Sequence, residues 1–420
     1  MEKSTFKRRL MFVVCMLMCG LSIQAADDGL ITDQVIIDKL VAGTLPQRIS
    51  SDEKYLITNL KINGEINGTD LGFIREMAGR SVKGEGSMSP GEETEGKLST
   101  LDLSDAKIVS GGDPYYQEYD YMEDRYDNYF TKDNEIGYKT FWYCDLTSVT
   151  LPSGLTSIGT SAFEKCWNLA SVTFPSSLVT IGGSAFSECP NLASVTFQSG
   201  LTSIGSSAFF ACRSLTNVTF PSSLTEIGNN AFNMCGFKTL TLPSGLTKIG
   251  KEAFADCISL KSLTLSPSLT SIGVEAFGGL GNLRTLTIPS GLTSIDSLKK
   301  YDDEFEESYL GIFVAPSMES VYVGWQIPIP AGDFFKGCDI SKCTLYVPLG
   351  TKQAYAETEV WRDYGEIKEY DVSGVDKVDN HSEAKEVSRY SLDGQRLSVP
   401  VKGLNIVRYS DGSIKKVVVN

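Results

Sequence analysis

One pattern of hydrophobic and polar positions recurs along the middle of this chain, between Ile136 and Ile295. In the copy that begins at Leu169, the apolar Val172 and Phe174 alternate with serine and threonine. This period of two, rich in β-branched residues, predicts a short strand with one buried face. Copies follow at steps of 22 or 23 residues, which predicts a solenoid whose coils stack and are not stable alone. The copies begin at Leu146, Leu169, Leu192, Leu215, Phe237, Leu260 and Leu283.

Each strand is followed by a second apolar segment. Pro175 ends the strand, because it has no N–H to donate to a sheet. Leu178 and Ile181 then make a second short apolar segment on the opposite wall of the coil. Gly182 recurs at the same register in successive copies, which indicates either a positive φ or a close backbone approach.

A third segment completes the coil. Ala185, Phe186 and Cys189 are three and four residues apart, so one turn of α- or 3₁₀-helix would point them inward. Because stacked coils place equivalent residues about 4.8 Å apart, the recurring phenylalanine should form a ladder in the core. Burying each ring is worth roughly 1.5–3 kcal/mol. The predicted ladder comprises Phe163, Phe186, Phe209, Phe232, Phe254 and Phe277.

These copies follow the pattern LxxLxLPxxLxxIGxxAFxxC and resemble the BspA-like family of bacterial leucine-rich repeat surface proteins. They depart from the common leucine-rich repeat at Ser177, where an asparagine or cysteine ladder would lie. The resemblance implies a mostly β leucine-rich repeat solenoid, with a parallel sheet on the concave side and short strands or 3₁₀ turns on the convex side. It also implies adhesion to host matrix proteins or to other cells.

The segment before the repeats predicts a partly helical N-terminal cap, which a solenoid needs to shield its first open coil. Apolar spacing over residues 31–45 predicts a helix, and residues 55–62 predict a strand. Asn67 then supplies a cap for a second helix that runs through Met77.

Both ends of the chain predict export. Residues 1–25 combine basic residues, an apolar run and a small residue at Ala25, which is the layout of a signal peptide. The tail predicts three short strands with turns at Asp393-Gly394 and Asp411-Gly412. This tail resembles the C-terminal sorting domain of type IX secretion substrates. We therefore expect a protein that is secreted or held at the cell surface or outer membrane.

These patterns divide the chain into seven segments. They are a signal peptide (1–25), a cap (26–97), leucine-rich repeats (98–296, with an insertion at about 106–134), an acidic insertion (297–314), the last repeat with a closing cap (315–371), a linker (372–386) and a small C-terminal β domain (387–420).

Composition narrows the range of partners and chemistries. The chain has 38 basic and 52 acidic residues and a formal net charge of −14, which argues against nucleic acid and anionic membranes as partners. The single histidine, His381, argues against multi-histidine metal sites and histidine-based triads. We predict no catalytic residue, metal site or cofactor. We also expect a monomer with no transmembrane segment in the mature chain.

Six cysteines share one register of the repeat, and Leu280 takes the next place. Cysteines in an exported protein suggest disulfides, and the spacing of stacked coils is compatible with bridging. Side chains at one register point the same way, however, and leucine replaces one of them. The pattern therefore favours buried free thiols that act as small hydrophobic groups. The six are Cys144, Cys166, Cys189, Cys212, Cys235 and Cys257.

Two sets of residues are candidates for ligand binding. The first lies in the tyrosine- and acid-rich insertion, because tyrosine offers rigid amphipathic contact area; the alternative is a loop that only covers the first coils. The second is the row of outward threonines on the strands, which also simply suit an exposed strand and which lack aromatic anchors. The candidates are Tyr115, Tyr116, Tyr119, Tyr121, Tyr126 and Tyr129, and Thr150, Thr173, Thr196, Thr219, Thr241, Thr264 and Thr287.

Three functions remain open at this stage. The first is a non-enzymatic exported protein that binds a protein ligand, such as a host matrix or cell-surface protein, or a glycan. The second is a structural component of the cell envelope. The third is a glycan hydrolase that uses paired carboxylates from the insertions, although acidic runs are more often solvated loops.

Overall fold

A computed structural model describes residues 29–86, 89–292, 312–331, 334–335 and 338–372, together with the strands Glu386–Tyr390, Arg396–Leu397, Gly403–Tyr409 and Ile414–Val419. The predicted signal peptide, most of the acidic insertion and most of the linker lie outside the described residues. Within them, the coils stack into the predicted leucine-rich repeat solenoid, with mostly parallel strands and few helices.

The first side of each coil is a short strand that pairs in parallel with a neighbouring coil. Ser171, Val172 and Thr173 pair with Ser148, Val149 and Thr150, so like residues stack on like. We call the outward side of these strands the strand face. Its strands are Thr100–Asp102, Ser148–Thr150, Ser171–Thr173, Ser194–Thr196, Asn217–Thr219, Thr239–Thr241, Ser262–Thr264, Thr285–Ile288, Ser320–Val323, Thr344–Pro348 and Glu366–Tyr370.

The second side is a parallel seven-stranded sheet of two-residue strands, as predicted for the wall opposite the strand face. The recurring glycine lies just after each strand. A Cβ at Gly182 would lie 2.8 Å from the carbonyl carbon of Gly159, so the close approach of the coils is what requires glycine. The strands are Glu135–Ile136, Ser157–Ile158, Thr180–Ile181, Ser203–Ile204, Glu226–Ile227, Lys248–Ile249 and Ser271–Ile272.

The third side, which we call the turn wall (residues 183–189 and their equivalents), corrects a prediction. It contains no helical turn: Ser184 and Glu188 adopt left-handed φ values of 52° and 55°. The N–H of Ser184 donates to the Ser206 carbonyl at 2.8 Å, and that of Phe186 donates to the Ala208 carbonyl at 2.7 Å. The apolar spacing fits inward-pointing side chains here too, but alternate amides bond to the next coil. The amides between them close tight turns within their own coil, as the Ser187 N–H does with the Ser184 carbonyl at 3.0 Å.

The phenylalanine ladder is confirmed. Its rings are fully buried, and adjacent ring centroids lie 5.1 to 5.5 Å apart in stacked pairs. The ladder also extends beyond the predicted set at both ends. Phe141 stacks on Phe163 at 5.2 Å, and Phe313 stacks on Phe277 at 4.9 Å, across the insertion in the sequence.

The cap differs from its prediction in one element. The helix expected over residues 31–45 is wrong: the chain there forms the strand Val35–Leu40 and only a short helix, Leu45–Arg48. Val35 pairs in parallel with Leu60, and Ile37 with Ile62, so pairing with the strand Asn59–Ile66 decides between two structures that fit the apolar spacing.

The second cap helix, Gly68–Met77, is confirmed together with its N-cap. The Asn67 side chain accepts from the Thr69 N–H at 3.1 Å, and the Asp70 carboxylate accepts from the Asn67 N–H at 3.0 Å, which completes a capping box. Asp70 also accepts from the Leu45 N–H at 2.9 Å, so one buried carboxylate joins the helix to the chain before it.

The last coils close on the 3₁₀ helices Ile340–Lys342 and Trp361–Asp363 and the helix Lys352–Glu357, with Trp361 fully buried. Residues 371–420 form a separate compact unit. In it an antiparallel sheet has four strands, in the order Arg396–Leu397, Glu386–Tyr390, Gly403–Tyr409, Ile414–Val419, where the sequence predicted three. No helix in the described ranges is both long and apolar enough to cross a membrane.

Candidate interaction surfaces

The interruption predicted at about residues 106–134 contains the strand Ala106–Ile108 and an antiparallel hairpin made of Gly111–Asp120 and Arg125–Thr131. The first hairpin strand also pairs in parallel with Lys83–Gly84 of the cap. The hairpin is therefore an ordered β-element that connects the cap with the first coil.

A buried ion pair near the turn joins the first hairpin strand to the first coil. Glu118 and Lys139 are 3.1 Å apart, and both side chains are almost fully buried. The hydroxyls of Tyr129 and Tyr138 each donate to Glu118 at 3.4 Å, and the Lys139 ammonium lies 4.0 Å from the centre of the Trp142 ring. Burial, and then the charge of Glu118, raise the pKa of Tyr129 and of Tyr138 to about 12, so both stay neutral donors.

Arg75 of the cap helix is fully buried, and the hydrogen bonds that its guanidinium donates go to backbone carbonyls. Its Nε donates to Ser81 at 2.9 Å, and its Nη1 donates to Lys139 and to Thr140, both at 3.0 Å. Its Nη2 donates to Pro90 at 2.5 Å. These four are charge-assisted hydrogen bonds. Through them one side chain joins the helix, the cap loop and the first coil.

The position of Arg75 has a simple explanation in the turn wall. Thr140 stands in the first coil where Ala162 stands in the second, and the Ala162 carbonyl accepts from the Phe141 N–H at 2.7 Å. Thr140 has no earlier coil to supply such a donor. Arg75 supplies it instead, which satisfies a buried carbonyl that would otherwise be costly.

The tip of the hairpin is exposed and aromatic. Tyr119 packs edge-on against Tyr121 and Tyr126, with ring centroids 5.0 and 5.1 Å apart. Tyr121 is 70% exposed, and the neighbouring Met122 is 93% exposed. We call Tyr119, Tyr121, Met122 and Tyr126, which lie at or beside the turn, the hairpin tip.

The structure separates the six candidate tyrosines into two groups. Tyr115 and Tyr116 are buried in the core, so predicting them as surface contacts was wrong. Tyr129 is half-buried against Tyr116 and Tyr138. Of the six, only Tyr119, Tyr121 and Tyr126 form one surface group, because Tyr119 and Tyr121 are two residues apart and Tyr126 pairs with Tyr119 across the hairpin.

Most acidic side chains of the hairpin form hydrogen bonds or ion pairs with nearby residues of the hairpin. Asp120 accepts from the Met122 N–H at 2.8 Å in the connecting turn, and the Asp124 carboxylate bonds the Tyr119 hydroxyl. Arg125 lies 3.2 Å from Glu123. In the described ranges, no group of three His, Cys, Asp or Glu side chains is arranged to hold a metal ion.

The row of threonines on the strand face changes along the solenoid. Thr173, Thr196, Thr219 and Thr241 are exposed, and Thr150 and Thr264 are half-buried. Thr287 is only 5% exposed, so it cannot present a surface hydroxyl as predicted.

The strand face also carries aromatic residues that the sequence analysis missed. Tyr322 pairs with Thr287 and Tyr346 pairs with Tyr322, so tyrosine takes the place of threonine in the last coils. The two rings stack with centroids 4.3 Å apart, and Tyr370 packs edge-on at 5.5 Å. The expectation that this face lacks aromatic anchors is therefore wrong at its C-terminal end.

A sequence signal for these tyrosines did exist. Residues 320–323 (Ser-Val-Tyr-Val) and 344–347 (Thr-Leu-Tyr-Val) repeat the alternation of the earlier strands, with tyrosine in the threonine position. The last repeat was predicted at 315–371, but the tyrosines at its outward positions were not considered as contacts.

The repeat cysteines are buried thiols without disulfide partners among the described residues. Five of them, from Cys166 to Cys257, also make a hydrogen bond that hydrophobic packing alone does not explain. The Cys189 Sγ lies 3.2 Å from the Phe163 carbonyl of the preceding coil, and the Cys212 Sγ lies 3.1 Å from that of Phe186. Burial raises the pKa of the Cys212 thiol to about 12, so it remains a protonated donor.

A known protein-family model matches the repeats of this chain. A model described as BspA type leucine-rich repeat region matches in six copies, over residues 134–232 and 179–301. No curated protein matches the chain.

Several solved structures are similar to this chain. A leucine-rich repeat protein from Bacteroides ovatus is 20% identical, over 83% of this chain and 94% of that one, with a TM-score of 0.39. A leucine rich cell surface protein from Faecalibacterium prausnitzii is 21% identical, over 59% and 86%, with a TM-score of 0.29. A leucine-rich repeat protein from T. pallidum is 26% identical, over 48% and 71%, with a TM-score of 0.28.

Proposed function

We propose that this chain, whose repeats match the BspA type of leucine-rich repeat, is a non-enzymatic exported protein that binds a protein partner at the cell surface. The observation that carries the proposal is the hairpin tip, where Tyr121, Met122 and Tyr126 are exposed. Exposed apolar side chains in a soluble protein usually mark an interaction site when they cluster.

The support beneath the hairpin tip strengthens this proposal. The Glu118–Lys139 pair joins the first hairpin strand to the first coil, and the contacts within the Tyr119–Tyr121–Tyr126 group hold the rings in place. Aromatic side chains that are already positioned lose little conformational entropy on binding, which is why they dominate many interfaces. The hairpin tip thus combines contact area with preorganisation.

The predicted signals at the two ends supply the cellular context. The pattern of residues 1–25 supports export, and the tail over 387–420 supports a type IX route to the surface. The family resemblance supports an adhesive role toward host matrix or another cell. At the cell surface, the exposed side chains of the hairpin tip would be available to such a partner.

The test compares three forms of the full-length mature protein on immobilised host matrix proteins and on whole host cells. The variant Tyr121→Ser/Met122→Ser/Tyr126→Ser should weaken capture at least about tenfold, since truncating a few central residues removes most of the binding energy of an interface. The control Ile258→Ser/Leu349→Ser removes two other exposed apolar side chains, which are 61% and 60% exposed, and should bind normally.

Substitution is preferable to deletion of the whole hairpin, because deletion would also remove the buried Tyr115, Tyr116 and Glu118 from the core. Undiminished capture by a hairpin-tip variant with a native melting temperature would refute the role of the tip.

A further inference from the structure

The C-terminal half of the strand face differs in chemistry from the hairpin tip. Tyr322 and Tyr346 stack there with nearly parallel rings, and Tyr370 closes the group from the side and donates its hydroxyl to the Val323 carbonyl at 3.1 Å. All three tyrosines are half-buried, so each ring is packed on one side and open on another. The group is a fixed aromatic end to an otherwise polar sheet.

A row of cations runs beside this part of the strand face. Lys238, Lys261 and Arg284 each lie just before a strand, at one register of three successive coils, and all are exposed. Their backbones bond in sequence: the Lys261 N–H donates to the Lys238 carbonyl at 2.9 Å, and the Arg284 N–H donates to the Lys261 carbonyl at 3.0 Å. Successive cations are therefore about 4.8 Å apart at the backbone.

Two of these cations lack a counter-charge. Arg284 pairs with Glu319, but neither Lys238 nor Lys261 forms an ion pair with any described residue. Farther along the face, Glu366 is engaged by Lys368 at 2.8 Å. The chain has a formal net charge of −14. Two lysines in line without a counter-charge therefore give this part of the surface an unusual positive potential.

Hydroxyl groups fill the space between the cations and the aromatic group. Thr239, Ser262 and Thr285 follow the three cations directly and occupy outward strand positions. The hydroxyl of Thr285 lies 3.3 Å from that of Ser320, so the row continues into the coil that carries Tyr322. Cations, hydroxyls and aromatic rings thus repeat at the same coil spacing.

We propose that this surface binds a linear anionic polysaccharide, with carboxylate or sulfate groups placed along the lysine row. The hydroxyl rows match the hydroxyls of sugar rings, and the tyrosines offer an amphipathic edge for their C–H faces. A tightly bound peptide would need pockets for its apolar side chains, whereas these rows are flat and polar. A regular polymer also fits a surface whose chemistry repeats from coil to coil.

The experiment measures binding of the full-length mature protein to immobilised heparin and polygalacturonate, with neutral dextran and poly-L-glutamate as comparison polymers. Lys238→Glu/Lys261→Glu should weaken binding to both acidic polysaccharides about tenfold. The control Lys107→Glu/Lys132→Glu, which makes the same change in net charge at two exposed lysines elsewhere, should change it less than about twofold.

A second variant separates aromatic contact from charge. Tyr346→Leu should weaken the binding that remains at high ionic strength, where screening has reduced the contribution of the lysines. Its melting temperature establishes that the closing coils still fold.

Three results would overturn the proposal: no binding of either acidic polysaccharide by the native protein, an equal loss in both lysine variants, or equally tight binding of poly-L-glutamate, which would indicate an acidic peptide instead. The Tyr121→Ser/Met122→Ser/Tyr126→Ser variant should bind the polysaccharides normally, so failure here is distinct from failure at the hairpin tip.

Discussion

The regular coils and the junction between cap and first coil are stabilised in different ways. In the coils, each phenylalanine such as Phe209 stacks on an identical neighbour on both sides, at 5.2 Å. At the junction, Arg75 and the Glu118–Lys139 pair make contacts that occur once. Repetition thus builds a rigid scaffold, whereas single polar contacts fix the element that differs from the scaffold, and the hairpin tip grows from that element.

The largest expected effect lies in the repeated part. Phe209→Ala should lower the free energy of unfolding by about 3–5 kcal/mol, because it removes a fully buried ring and leaves a cavity between two stacked neighbours. Chemical denaturation and thermal melting measure the loss. A variant as stable as the native protein would contradict the ladder as the main source of core stability.

A somewhat smaller and more local effect is expected at the junction. Arg75→Met should cost about 3 kcal/mol, because several buried carbonyls lose their donor while the volume is kept. Hydrogen exchange should speed up in the helix Gly68–Met77 and the first coil more than in the later coils. The control Arg213→Met removes an exposed arginine and should leave exchange unchanged; equal acceleration along the whole solenoid would show that the junction is not a separate unit.

The smallest effect concerns the cysteines. The pKa of Cys212 and of Cys257 rises from an ordinary 9.0 to about 12 on folding. A raised folded-state pKa contributes stability that is complete below the unfolded pKa and is lost as the pH climbs through the folded one, so stability should fall between about pH 9 and 12. Cys212→Val should make this decline shallower in melts taken across that range.

The same burial should keep the repeat cysteines unreactive in the native protein. Alkylating reagents near pH 8 should label these cysteines only after unfolding, because the thiolate is the reactive form. Mass spectrometry measures the labelling. Fast labelling of the folded protein would contradict the burial of the repeat cysteines.

Most of the scaffold follows from the sequence because its signals recur. One phenylalanine at a given register is ambiguous, but six at equal steps require stacking, and the ladder is as predicted. The cap at Asn67 was also predictable, since a capping box depends on residues within one turn. In both cases the deciding contacts are local or are copies of one another.

The remaining features depend on contacts that the sequence does not encode locally. The apolar spacing near Val35 fits a helix as well as a strand. Only pairing with the strand that contains Leu60 decides in favour of the strand. Tyr116 and Tyr121 look alike in the sequence, and only the packing against the first coil separates the buried one from the exposed one. Tyr322 lay in the predicted last repeat, but the sequence alone does not show that its ring stacks on that of Tyr346.

The one-way direction of hydrogen bonds in the turn wall has a consequence for variation in length. Each coil donates to its successor, as Phe186 does to Ala208, so an internal coil meets the same neighbours wherever it lies. A gene that gains or loses a 23-codon unit between Leu169 and Leu260 would leave Arg75 and the closing coils untouched. The rod would grow or shrink by one step, and the distance between the hairpin tip and the tyrosine-rich end would change while both stayed intact.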